Sequence, residues 1–285
     1  MLRPNEIDKE KQTMTVLVKL TGVFEGIASM RIAQIRSQVL QSTQFFHSLW
    51  HIYTQLRVDD NFHFGRTQTK TEVINKELYL IITAEGGFSG DIDHRLIEIM
   101  LQTYDPAKHE IIVLGHHGAI QLAQRGVSFK KYYKLPTNDR TINVAPLAND
   151  VRQYRSTRVF YQVYISLMKQ EVRQIALATA VQEEGRRATA MDEMISEANY
   201  IFEPSTTAVV DHLENSMMQI ALAQVILESR LAQYASRFGA MSAAQKKSEE
   251  SQTTLQLSLN RARRAVKDER LKEVINGLRK VRLSI

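Results

Sequence analysis

Gly86-Gly87-Phe88-Ser89-Gly90 follows a short apolar run, at the place where doubly wound α/β folds bind phosphate. Glycines there let backbone N–H groups approach an anion closely. A nucleotide site needs more than this. Neither G-x-x-x-x-G-K-[ST] nor G-x-G-x-x-G occurs in the chain, and Glu85 sets beside the turn a carboxylate that would repel a phosphate. The other reading is a tight strand-to-helix turn whose glycines take φ > 0, and the missing motifs favour it. His116 and His117 are adjacent, and on a helix neighbours point about 100° apart, so the two imidazoles cannot share a metal ion. No H-E-x-x-H or spaced acid cluster supports them. Ser89 does not sit in a G-x-S-x-G elbow. Cysteine is absent, which removes disulfides, thiolate metal sites and a cysteine nucleophile. The expectation is a chain with no catalytic residue, no cofactor and no metal.

The 285 residues suffice for one large domain or two modest ones, with 44% hydrophobic and 24% charged residues, as in ordinary globular proteins. Five prolines and twelve glycines are few and favour helix. No apolar run reaches the roughly 18 residues that span a bilayer. The N-terminal residues carry acids and no apolar core, unlike a signal or transit peptide, so a cytosolic setting is expected. Net charge is +6, from 37 Lys+Arg against 31 Asp+Glu. For most of the chain this is a mixed, solvated surface. Toward the C-terminus, Lys246, Lys247, Arg261, Arg263, Arg264, Lys267, Arg270, Lys272, Arg279, Lys280 and Arg282 crowd together. Such a patch could meet DNA phosphates, with strong salt dependence. Asp268, Glu269 and Glu273 interrupt it and no recognition-helix motif is present, so an acidic protein collar fits better.

What would position these residues is mostly helix. From Ser205 to Ile285 there is no proline. Leu213, Met217, Ile220, Leu227, Leu231, Tyr234, Phe238 and Met241 fall on a heptad seam with Gln224 as its polar gap. Leu255, Leu259, Ala262 and Val266 continue the rhythm, and Leu271, Val274, Leu278 and Val281 resume it after a frame shift. At 1.5 Å per residue such a helix is on the order of 120 Å long. A second long helix is expected from about Ile7 to Leu56, with Leu17, Leu20, Phe24, Ile27, Ile35, Val39, Phe46, Leu49 and Tyr53 on its seam. Gly22 and Gly26 weaken it locally by up to about 1 kcal/mol each, or let a neighbouring helix approach. Two such helices at opposite ends of the chain suggest an antiparallel coiled coil with the middle inserted between them.

The middle alternates. Val58–Lys70 is a loop. Strands are expected at Glu77–Thr83, Glu110–Leu114 and Val127–Lys134, with helices around Ile92–Leu101, His116–Gln124 and Pro146–Ser156. Arg158–Leu167 and Glu171–Ala178 pattern as paired strands, with a turn at Pro136–Asp139 and a polar stretch at Gln182–Glu197. Strand and helix in alternation predict an α/β layer with partly parallel strands. The expected division is 1–57 (coiled-coil helix), 75–200 (Rossmann-like α/β domain) and 205–285 (coiled-coil helix). Beyond the heptads there is no fixed-period repeat.

These residues resemble the gamma subunit family of F-type ATP synthases. Leu257-Ser-Leu-Asn260-Arg-Ala-Arg263-Arg-Ala265 and Glu273-Val-Ile-Asn-Gly277 are similar to the family's L-x-x-N-x-A-R-Q-A and E-I-x-x-G ending. Glu228-Ser229, Ala235, Arg237, Ala240-Met241 and Ala244 follow its E-S-x-x-S-E-x-x-A-R-M-x-A-M-x-x-A run. Ile82-Thr-Ala-Glu-Gly-Gly87-Phe-Ser-Gly90 resembles T-S-D-R-G-L-C-G. Val113-Leu-Gly115-His-His-Gly118 with Arg125-Gly126 resembles V-G-x-K-G and R-R-G, and Leu20-Thr21 with Ile27-Ala28 is what remains of an N-terminal I-T-K-A-M-K-M-V-A-A-S-K signature.

The resemblance implies a central rotor (central stalk) of the F1 complex that transmits torque between a membrane ion-driven ring and a catalytic hexamer during ATP synthesis or hydrolysis. It implies alpha and beta subunits, an epsilon or delta-type small stalk subunit and a membrane c-ring as partners, with no nucleic acid and no small-molecule substrate. It further implies a non-catalytic subunit, peripheral to the cytoplasmic (or matrix- or stroma-equivalent) face of an energy-transducing membrane. Carried over by position, Arg237, Met241, Asn260, Arg263 and Glu273 are the implied rotor–ring contacts. The chain departs at Gly22, Phe24, Glu25 and Gly26, where the family carries Lys and Met, and at Asp268 and Arg270, which replace a threonine and a glutamate. The competing readings are a stand-alone coiled-coil adaptor with an α/β head and a nucleotide-binding α/β protein using Gly86–Gly90.

Overall fold

The computed structural model describes residues 4–55, 74–135, 142–177, 203 and 205–282. The loop expected at 58–70, the turn at 136–139 and the polar stretch at 182–197 lie outside them. Two helices enclose the rest in sequence: α1, Pro4–Gln55, and α5, Thr206–Arg282. Between them come β1 (Ile74–Ile82), α2 (Ile92–Thr103), β2 (His109–Leu114), α3 (His116–Gln124), β3 (Lys131–Tyr133), α4 (Ala145–Val151), β4 (Tyr154–Tyr164) and β5 (Gln170–Ala176). Pro4 stands in the first turn of α1, where its missing N–H costs nothing, and Glu6 beside it favours the positive end of the helix dipole. The Ser205 hydroxyl caps α5 by accepting the Ala208 N–H at 3.2 Å. The chain forms two compact units, Met1–Ile27 with Phe238–Ile285, and Ala28–Arg237.

In the unit Ala28–Arg237 five strands are ordered β3-β2-β1-β4-β5. β1 runs parallel to β2 and β4, β2 parallel to β3, and β4 antiparallel to β5. Central β1 is covered on both faces, as a parallel strand should be. Along it side chains alternate. Leu78, Leu80 and Ile82 join Leu147 and Val151 of α4 and Leu222, Val225 and Ile226 of α5, while Tyr79 and Ile81 join Leu96, Ile97 and Met100 of α2 and Leu122 of α3. In the same unit α1 runs antiparallel to α5. Ile35 packs on Leu227 and Leu231, Phe46 on Met217 and Ala221, and the expected polar gap is closed where Gln224 Nε2 donates to Thr43 Oγ1 at 3.2 Å.

Several expected boundaries move: β1 begins at Ile74 rather than Glu77, and β4 runs Tyr154–Tyr164 rather than Arg158–Leu167. The helix expected over Pro146–Ser156 stops at Val151, because Tyr154, Ser156 and Thr157 pair with β1 and sheet pairing outweighs local propensity. The third strand shrinks to Lys131–Tyr133, which pair with Ile112–Leu114, while Lys130 adds a single N–H bond to Ile111 O at 2.8 Å. Conformation in the glycine turn also differs: Gly90 has φ 65°, but the other left-handed residue is Phe88, at 68°, not Gly86 or Gly87.

In the unit Met1–Ile27 with Phe238–Ile285 the two helices again run antiparallel. Gln252 Nε2 donates to Thr15 Oγ1 at 2.7 Å, a Cβ on Gly22 would sit 3.5 Å from Gln245 Oε1, and Arg263 lies 3.9 Å from Asp8. So Gly22 permits close approach, whereas Gly26 has nothing within 4 Å of its Cβ position. On α5 the sheltered residues are Met241, Gln245, Ser248, Gln252, Leu255, Leu259, Ala262 and Val266, on the expected seam. On α1 they include Ile7, Lys11, Met14, Val18, Thr21 and Glu25, also spaced by fours and threes but in a different phase from the one expected, with Thr15, Gly22 and the expected Phe24 sheltered beside them. Leu17, Leu20 and Ile27, placed on the seam by their hydrophobicity, are 39%, 48% and 42% exposed. The contact line is half polar, so the stronger apolar stripe on α1 belongs to another face. The resumed seam of Leu271, Val274 and Leu278 is exposed as well.

Candidate functional site

Within the unit Met1–Ile27 with Phe238–Ile285, three large apolar side chains among the described residues are buried: Ile7, Met241 and Leu259. Ten are exposed, and seven of these are regularly spaced. Val16, Leu20, Val23 and Ile27 step by four, three and four along α1, and Leu271, Val274 and Leu278 by three and four along α5. A heptad stripe is what a helix presents to a packed neighbour, and exposed apolar stripes of this kind mark interaction sites. Exposed basic residues flank the α5 part: Arg261, Arg263, Arg264, Lys267, Arg270 and Lys272. This surface can bind an apolar partner with an acidic rim.

The five residues expected as partner contacts fall in two groups. Asn260, Arg263 and Glu273 are exposed on α5. Asn260 accepts from Gln256 Nε2 at 3.0 Å, and Arg263 is 58% exposed, with Asp8 as a distant counter-ion. Met241 is turned inward and buried. Arg237, at the end of the other unit, grips the glycine turn. Its Nε donates to Gly87 O at 3.2 Å and an Nη to Gly86 O at 3.1 Å, with Tyr234 under the guanidinium at 5.3 Å. Burial pulls its pKa below the ordinary arginine value, and the nearby Tyr234 and Asp93 oppose this.

That turn is the place where the sequence could have held a phosphate, and it is built the other way round. A phosphate loop points N–H groups at its anion. Here carbonyls point at α5: those of Gly86 and Gly87 accept from Arg237, and that of Ser89 accepts from the Ser236 hydroxyl at 2.6 Å. Glu85 is occupied too, taking the N–H groups of His116 and Leu135 at 3.3 and 3.1 Å and the Tyr132 hydroxyl at 3.1 Å. Beneath the turn, Thr83 Oγ1 bonds Leu114 O and receives the Gly118 N–H, each at 2.9 Å. Gly115, at φ 94°, lets the chain pass so close that a Cβ there would meet Thr83 O at 2.1 Å.

The two adjacent histidines diverge as expected. His116 meets Tyr132, whereas His117 Nδ1 lies 2.8 Å from Asp93 Oδ2. No group of three or more His, Asp or Glu among the described residues is placed to hold a metal ion. Sequence reasoning missed two features. The outward stripe on α1 is one: hydrophobicity puts its Leu20 and Ile27 on the intramolecular seam and leaves Val16 and Val23 without a role. Buried Asp93 carried no signal, since its partners lie far apart in the sequence.

Residues 4–280 match the family model described as ATP synthase. The ATP synthase gamma chain of Mycoplasmoides gallisepticum is 22% identical, over 98% of this chain and the whole of that one. The gamma chain of Pelodictyon phaeoclathratiforme is 26% identical, over 91% of this chain and 92% of its own length. Among solved structures the fold is similar to a chain of the Euglena gracilis mitochondrial ATP synthase OSCP/F1/c-ring assembly, with a TM-score of 0.63 at 16% identity, covering 96% of this chain and 94% of that one. It is also similar to a chain of the Tetrahymena thermophila mitochondrial ATP synthase central stalk and c-ring, at TM-score 0.56 and 16% identity, over 79% of this chain and 99% of that one. With a family model matched from one long helix through the sheet to the other, this chain belongs to the ATP synthase family.

Proposed function

We infer that this chain is the gamma subunit, the central rotor of an F-type ATP synthase. Its division into coiled-coil helices (1–57 and 205–285) and an α/β domain (75–200) serves that role. The observation that carries this reading is the helical pair of Met1–Ile27 with Phe238–Ile285, which leaves ten large apolar side chains exposed, seven of them on heptad steps, with a run of exposed basic residues on α5. A ring of alpha and beta subunits with an acidic, apolar bore covers such a surface. Asn260, Arg263 and Glu273 contact the ring directly, and Arg237 and Met241, turned toward their own chain, set the shape it meets. The alpha and beta subunits, a small stalk subunit and the membrane c-ring are the partners. The chain itself makes and breaks no bond. A turning asymmetric surface offers each catalytic site a different face, and each face favours a different conformation of that site. Among the described residues no helix is long and apolar enough to cross a membrane, in keeping with a peripheral subunit held by its partners.

Co-purification tests this. The chain is expected to bring down alpha and beta subunits in threefold excess, and its recovery alone or with unrelated partners overturns the reading. Equilibrium dialysis against ATP separates it from the nucleotide-binding alternative. With its carbonyls committed to Arg237 and Ser236, the turn is expected to bind no ATP, and saturable stoichiometric binding would reinstate an enzyme.

A further inference from the structure

Asp93 is fully buried in the first turn of α2, in the unit Ala28–Arg237. A buried carboxylate is costly unless its oxygens are hydrogen-bonded. Oδ1 accepts from Gln162 Nε2 of β4 at 2.7 Å, Oδ2 lies 2.8 Å from His117 Nδ1 of α3, and the Ala84 N–H reaches Oδ2 at 3.2 Å. Gln162 is equally buried and passes the polarity on. An ionised carboxylate only accepts, so it fixes which end of the Gln162 amide faces it. The amide oxygen is thereby turned toward α5, where it accepts from the Ser229 hydroxyl and from Gln233 Nε2 at 3.2 Å. Gln233 also donates to Ser229 Oγ at 3.0 Å. Ser229 is fully buried and Gln233 nearly so. One negative charge therefore sets the direction of every hydrogen bond along a chain from α3 through β4 into α5.

We propose that Asp93 and His117 are positioning residues whose shared proton sets how firmly α5 is held to the sheet, making the grip of this unit on its helix dependent on pH. The proposal rests on the rotor reading for its purpose, since a rotor passes torque between these parts, but not for its physics. When His117 is protonated, its Nδ1–H donates to Asp93 and its charge compensates the buried carboxylate. When it loses that proton, the carboxylate keeps only neutral donors close by. Among the other charged groups on the packed elements, Arg237 acts on the carboxylate through its charge without donating a hydrogen bond to it. Glu85 is committed to His116 N, Leu135 and Tyr132, and Arg237 is bonded to the glycine carbonyls. On the outer faces of α2 and α3, His94 is paired with Glu98 and Arg125.

The hydrogen bond that His117 donates to Asp93 raises the His117 pKa above 6.5, against the opposing effect of burial. A raised histidine value gives a contribution that is complete below about 6.5 and is lost as pH climbs through the folded-state value. The clasp is therefore tight at mildly acid pH and loosens on the alkaline side.

Hydrogen exchange of the full chain, followed at the α5 amides around Ser229–Gln233 and corrected for intrinsic base catalysis, reads this directly. Opening is expected to rise as pH passes above 6.5, by about tenfold for each unit that the pKa is raised. His117→Gln keeps a donor without the charge and is expected to flatten that rise. Parallel profiles for wild type and His117→Gln overturn the proposal. NMR titration of His117 in the wild-type chain gives a second reading that needs no variant: a midpoint above about 6.5 supports the clasp and one at or below it overturns it. Neither measurement requires the assembled enzyme, so a flat profile fails the clasp alone, whereas absence of alpha and beta subunits on co-purification fails the rotor reading alone.

Discussion

In the unit Ala28–Arg237, β1 runs from Leu78 to Ile82 with no side chain more than 1% exposed. In Met1–Ile27 with Phe238–Ile285, Val16, Val23, Leu271 and Leu278 are each 55% exposed or more. Both regions are rich in apolar residues, yet one spends them on its own core and the other holds them out. Burying a leucine or isoleucine fully stabilises by about 1.5–3 kcal/mol. Leaving ten large apolar residues uncovered forgoes that on folding and keeps it for association. The first region is thus stable by itself, and the second completes its packing on a partner. Substitutions that act on folding in one region should act on assembly in the other.

The largest effect is expected where backbone approaches backbone. Gly115→Ala puts a methyl 2.1 Å from Thr83 O at a φ of 94°, and neither partner can yield. A loss of about 4 kcal/mol or more follows, read as failure to fold or a collapsed melting temperature. An unchanged melt would show that the sheet edge is far softer than its close packing indicates.

Next come the side chains that join α1 to α5 beside the sheet. Leu227→Ala and Leu231→Ala, each at 7% exposure against Ile35, should cost about 2–5 kcal/mol each in urea unfolding of the isolated chain. A polar residue at either place loosens the helix pair further. If these substitutions cost no more than Leu271→Ala, the contrast between the two regions is gone.

Arg237→Ala is expected to cost about 1.5–3 kcal/mol, because three charge-assisted contacts to the glycine turn disappear together. Arg237→Lys should recover only part of it, since an ammonium lacks the planar fork that reaches Gly86 O and Gly87 O at once and stacks on Tyr234. Thermal melts of the three proteins give the order, and an equal loss for Lys and Ala would confirm the fork while a full recovery by Lys would deny it.

Much of this was legible in sequence, for reasons that can be stated. The α5 seam from Leu213 to Val266 is legible in the right phase because most of its contact positions are apolar, with Gln224, Gln245, Ser248 and Gln252 as polar gaps on the same steps. His116–Gln124 was bounded correctly by Gly115 and Gly126, both of which take positive φ. The α1 seam was read in the wrong phase near its start because Lys11, Thr21 and Glu25 stand on the contact line, while Val16, Leu20, Val23 and Ile27 stand off it. Hydrophobic periodicity reports where a helix is greasy, not which neighbour it meets. Pairing across the sheet pulled Tyr154–Ser156 out of helix, a tertiary effect that no local pattern carries. The Asp93 network stayed hidden because its members, at 84, 93, 117, 162, 229 and 233, share no spacing.

The smallest folding effect and the sharpest contrast meet at Arg263. Its side chain is 58% exposed and its one counter-ion, Asp8, stands 3.9 Å away. An exposed pair at that distance is worth under about 1 kcal/mol, so Arg263→Ala should leave the melt of the isolated chain almost where it was. If its work is done on a partner, the loss appears only in the assembled complex, as a lower yield of ion pumping per ATP hydrolysed. Leu271→Ser makes the same comparison without removing charge, and should also be silent in the melt. Should both variants couple normally, the exposed stripe is ordinary surface. Should both unfold the isolated chain, it is core, and the distinction between the two regions fails.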